Sequence, residues 1–80
     1  MNETTCFLVI VEDRHIDTEC FCFTDKTKAI EYTKKILKLY QNSEEQELSK
    51  DMLINNWVFF ANLSCEGGMI HIIKSTINPK

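Results

Sequence analysis

Eighty residues with two glycines and one proline make a single small domain, residues 1–80, with room for one modest core. Apolar residues form 44% of the chain, which excludes disorder as its general state. The net charge of −3 argues against a phosphate-binding surface, and no apolar run is long enough to cross a bilayer.

Residues 4–11, rich in β-branched and aromatic side chains, predict a first strand. Its apolar run has no basic segment before it and falls short of a signal-peptide pattern, so a cytoplasmic setting is expected. The polar residues 12–15 then read as a hairpin connection. Residues 16–23 alternate with period two and predict a second strand. Ile16, Thr18, Cys20 and Cys22 share one side; Asp17, Glu19, Phe21 and Phe23 share the other. The two carboxylates assign Phe21 and Phe23 to the side away from the helix and leave Cys20 and Cys22 facing it. The length of the connection sets the register. Two or four residues pair Val11 with Ile16, Phe7 with Cys20 and Thr5 with Cys22; three residues bring Cys6 beside Cys22.

Thr24 and Asp25 supply an N-cap for a helix over residues 26–41. Its apolar stripe is Ala29, Ile30, Thr33, Ile36, Leu37 and Tyr40, with Lys28, Glu31, Lys35 and Lys38 on the opposite side. Residues 42–49, with Glu44, Glu45 and Glu47, predict an exposed acidic linker within the domain. Ser49 caps a short helical turn over residues 50–54. A third strand follows over residues 57–63, where Trp57, Phe59, Ala61 and Leu63 alternate with Val58, Phe60 and Asn62. Gly67 and Gly68 accept the positive φ of a bend, and residues 69–77 predict a fourth strand, ended by Pro79. The order predicts an α+β, two-layer β-β-α-β-β domain with a four-stranded, mainly antiparallel sheet and one main helix.

One helix covers one face of such a sheet, yet the first and third strands are apolar on both faces. Either the short second helix covers part of the far face, or that face meets a partner. The second reading leads. It predicts a small non-enzymatic protein-binding domain, a regulatory or inhibitory adaptor acting as a homodimer or on a different protein. The contact surface is expected on the face or edge opposite the main helix, with Phe21, Phe23, Trp57 and Phe60 as candidate anchors whose common orientation the alternation does not fix.

The four cysteines, at positions 6, 20, 22 and 65, are expected as free thiols, since no export signal is visible. Cys20 and Cys22 lie about 6.6 Å apart along their strand and lack the C-x₂₋₄-C spacing of a thiolate pair, so packing outranks metal binding. No metal or cofactor is expected. His15 lies beside Glu12, Asp13 and Asp17, without a recognised ligand spacing. Two other functions compete. One is a thiol-dependent enzyme with Cys65 as nucleophile and His71 as base. The other is nucleic-acid binding by the lysine-rich helix face of Lys28, Lys34, Lys35 and Lys38, which Glu31 interrupts.

Overall fold

The structure, a computed structural model, describes residues 4–13, 16–40, 43–63 and 67–77. Its elements in chain order are β1 (Thr4–Asp13), β2 (Ile16–Phe23), α1 (Lys26–Leu37), β3 (Glu44–Glu45), α2 (Lys50–Ile54), β4 (Trp57–Asn62) and β5 (Met69–Ile77). The five strands form one antiparallel sheet in the order β2-β1-β5-β4-β3. The predicted four-stranded sheet thus gains a strand. It lies inside the acidic segment that predicts a linker, where Glu44 pairs with Asn62 and Glu45 with Ala61. Gln46 N–H donates to Phe60 O at 2.9 Å just beyond. Backbone pairing alone makes this strand, because both of its side chains are exposed.

β1 and β5 pair from Thr4↔Ile77 to Glu12↔Met69 and occupy the middle of the sheet. Their central position sets one apolar side of each strand against the core beneath α1. On one face lie Val9 and Val11 of β1, Ile70 and Ile72 of β5, and Ala61 of β4. They form the core with Leu63 and with Ala29 and Leu37 of α1. Val9, Ile70, Ile72 and Ala61 have no exposed surface at all.

Asp25 starts α1: Thr27 N–H donates to its Oδ1 at 2.8 Å. Asp25→Ala leaves that N–H without its cap and is expected to cost about 1 kcal/mol, readable as a lowered denaturant midpoint with an unchanged slope. Thr33 fits an apolar stripe because its hydroxyl donates to Ala29 O at 2.9 Å, satisfying a fully buried oxygen. The helix ends at Leu37, short of the predicted residue 41. Leu39 N–H and Tyr40 N–H reach back only three residues, to Ile36 O and Leu37 O, which tightens the last turn. Ser43 Oγ donates to Leu37 O at 3.0 Å and completes the stop. α2 has its predicted cap, with Met52 N–H donating to Ser49 Oγ at 3.2 Å.

The first hairpin takes neither predicted register. Phe7 pairs with Phe23, Leu8 with Cys22, Val9 with Phe21 and Ile10 with Cys20. Between Val11↔Glu19 and Asp13↔Ile16, β2 advances three residues while β1 advances two. That shift belongs to a bulge. The faces of β2 are also the reverse of the prediction. Phe21 and Phe23 pack on the core beneath α1, while Cys20 and Cys22 are exposed on the other side. Tyr32, outside the predicted stripe, extends the helix's apolar face over them. Its ring lies 5.1 Å from Phe21, edge to face, and 5.3 Å from Phe23. Full burial of a phenylalanine is worth about 1.5–3 kcal/mol, and these two, half-buried, each contribute part of it. Glu19 shares their side but stays exposed at the outer strand, so its charge does not oppose this choice.

Candidate functional site: the open face of the sheet

α1 packs on β1, β2 and β5 from one side only. The other side carries Leu8 and Ile10 from β1, Cys20 and Cys22 from β2, Trp57 and Phe60 from β4, and His71 and Ile73 from β5. Leu8, Ile10, Trp57, Phe60 and Ile73 are half-buried. The second helix does not cover them. α2 has no buried residue, its main contacts are with β4, and Leu53 and Ile54 stand 57% and 76% exposed.

Trp57 and Phe60 sit three apart on a strand, a spacing that alternation assigns to opposite faces. A shift in the backbone brings them together. Asn56 adopts a left-handed φ of 66°, which asparagine tolerates, and its C=O accepts from Lys74 N–H at 2.8 Å. Trp57 then pairs with Ile73 and Phe59 with Ile72, so Val58 is an extra residue in the ladder. After it, Phe60 returns opposite His71. The Trp57 ring stacks on the His71 imidazole at 4.1 Å and 11°, and meets Phe60 at 5.6 Å, edge to face. Of the four predicted anchors, the structure therefore gathers Trp57 and Phe60 on the open face and places Phe21 and Phe23 in the helix-facing core.

His71 is 6% exposed under this indole, and its Nδ1 has no hydrogen-bond partner among the described residues. Burial pushes its pKa below the usual 6.5, with Glu12 opposing to a lesser extent. An unfolded chain takes up this proton near its ordinary value while the folded chain resists. The neutral ring therefore contributes its full share of stability above about pH 6.5, and that share is lost as pH falls from there through the lower pKa of the folded chain. The stability difference between pH 7.5 and pH 5.5, measured by urea unfolding, is expected to shrink in His71→Phe.

Cys65, His15 and the first residues of the glycine bend lie outside the described residues, so the predicted Cys65–His71 pair has only its histidine on view. Gly67 and Gly68 have the expected positive φ, 108° and 97°. A Cβ on Gly68 would meet Glu12 O at 3.0 Å, so glycine is required there on both counts. Burial, and then the Cys22 thiol beside it, push the Cys6 pKa above its usual 9.0, which keeps that thiol protonated near neutrality. Among the described residues, no group of three or more histidines, cysteines or carboxylates is arranged to hold a metal ion. A cleft of about 260 Å³ at the end of β1 and β5 is lined by Glu12, Asp13, Gly68 and Met69. Lys28, Lys34, Lys35 and Lys38 are all exposed on or just after α1, with Glu31 exposed among them.

No protein-family model matches the chain, and no curated protein or solved structure is significantly similar to it. No helix among the described residues is long and apolar enough to span a membrane. Function must therefore be argued from the sheet itself.

Proposed function

We propose that this chain is a small non-enzymatic protein-binding domain, a regulatory or inhibitory adaptor that works as a homodimer. Its contact surface is the open face of the sheet, with Trp57 and Phe60 at the centre of binding and Leu8, Ile10 and Ile73 around them. One observation carries the reading: a contiguous set of large apolar side chains lies half-buried on a face that no described helix covers. Such surface costs free energy in water and favours association. Tryptophan and phenylalanine supply large contact area with few rotors, which suits an interface centre. The sealed His71 and the protonated Cys6 favour a binding role over catalysis, since neither offers an accessible, activated group.

Capture experiments with matched variants test the reading. The wild type and Lys35→Glu, altered on the outer side of α1, should retain the same protein partner in fixed stoichiometry. Phe60→Lys should lose it by at least tenfold while keeping its circular dichroism. Equal capture by Phe60→Lys would remove the open face from consideration.

A further inference from the structure

Among the described residues the same sheet has an unpaired edge, and one register of that edge against itself avoids like-charge contact. Among the described residues, β2 has a neighbour on one side only. Every second N–H and C=O along it points away from β1 and must bond to water or to another strand. The opposite edge is short and irregular: β3, two exposed glutamates, pairs only with Ala61 and Asn62, and the rest of β4 carries the extra residue Val58. Glu19–Phe23 has none of these defences except Glu19 itself. It contains no proline, glycine or lysine, and it keeps regular register with Phe7–Val11 up to the shift below Glu19.

We propose that the homodimer forms by antiparallel pairing of β2 with β2 of a second copy, in the register centred on Phe21. The inference rests on the homodimer part of the reading above. A two-fold axis through the pairing places opposed residues on the same face, so only residues of equal parity can meet. Centring on Glu19 sets two carboxylates against each other, which is unfavourable. Centring on Cys20 runs the ladder into the shift at residues 17 and 18, and centring on Cys22 runs it past the end of β2. Centring on Phe21 uses the whole regular stretch. Glu19 then faces Phe23 of the second copy, Cys20 faces its Cys22, and the two Glu19 carboxylates stand about 13 Å apart along the strands.

A groove beside this edge fits the pairing. It lies on the helix side, has a volume of about 190 Å³, and is bounded by Glu19, Phe21, Tyr32, Ile36 and Leu39. Leu39 is 81% exposed there, although it is a large apolar residue. The proposed register places Phe23 of the second copy opposite Glu19, at the rim of this groove, where it would cover the leucine. Because the two-fold axis of this antiparallel pairing runs perpendicular to the sheet, both open faces lie on the same side. Two five-stranded sheets then become one continuous platform for a protein partner.

The register makes an asymmetric prediction about thiols. In a Cys6→Ser, Cys65→Ser background, Cys20→Ser and Cys22→Ser are each treated with dibromobimane, a short thiol cross-linker, alone and after mixing, and covalent dimer is read by mass. Opposed cross-strand residues are close enough for such a reagent. The Cys6→Ser, Cys65→Ser parent should cross-link between chains, each single variant alone should not, and the mixture should, because among the mixed species only the heterodimer sets Cys20 against Cys22. Cross-linking of either variant alone would overturn the register. A dimeric mass in solution with no cross-link in the mixture would overturn the Phe21-centred pairing and leave the open-face reading standing. A monomeric mass at every concentration would overturn the edge and the homodimer together, while the Phe60→Lys capture experiment still decides whether the face binds a different protein.

Discussion

Phe21→Lys is expected to unfold much of the population, whereas Phe60→Lys leaves a folded chain. Both phenylalanines are half-buried, so exposure alone does not separate them. Their neighbours do. Phe21 packs on the core, with the Tyr32 ring 5.1 Å away. Lysine there forfeits part of the about 1.5–3 kcal/mol that a fully buried phenylalanine supplies and adds the cost of pressing an ammonium toward an apolar layer. A domain of this size has about 4–12 kcal/mol in total, so a loss of about 3 kcal/mol or more removes a large part of it. Phe60 lies on the open face, where a lysine's ammonium reaches water directly, and the expected loss is about 1 kcal/mol. Urea unfolding of the two variants measures the contrast. The reverse order would put Phe21 on the open face and invert the account of β2.

Two adjacent residues on β5 give the second large contrast. Ile72 has no exposed surface and belongs to the core with Val9 and Ala61. Ile72→Ala leaves a cavity in a layer held by strands on both sides and is expected to cost about 2–5 kcal/mol. Ile73 points to the open face and is half-buried, so Ile73→Ala should cost about 1 kcal/mol or less. Comparable losses at both positions would mean that the second face is also sealed within the single chain.

Much of the architecture was legible in the sequence because local signals agreed with tertiary ones. The period-two run gave Ile16–Phe23 as a strand, and the glycine pair followed by branched residues gave Met69–Ile77. Asp25 and Ser49 are caps, as side chains that accept from N–H groups at helix starts should be. β3 carried no signal, since two glutamates have neither apolar period nor β-propensity, and only pairing with β4 defines them.

The site was half legible. Surplus apolarity on β1 and β4 pointed to an exposed face, but the residues on that face depend on two shifts in register. Period-two reasoning put Trp57 and Phe60 on opposite sides; the extra residue Val58 unites them. On β2, the charges of Asp17 and Glu19 point Phe21 and Phe23 away from the helix, and the structure has them the other way round. An outer-strand carboxylate reaches water from either face, so the area of Phe21 and Phe23 decides the orientation. Tyr32 was the available clue, one position outside the helix stripe yet aromatic. The exposed thiols of Cys20 and Cys22 are consequently not core packing but part of the open surface.

The most direct measurement is site-resolved photo-cross-linking in the cells that make the protein. A benzophenone side chain replaces Phe60 on the open face in one variant and Lys35 on the outer side of α1 in another. The account predicts a discrete protein adduct from position 60, lost when Ile73→Lys is added, and none from position 35. Adducts at position 35 with none at position 60 would contradict it.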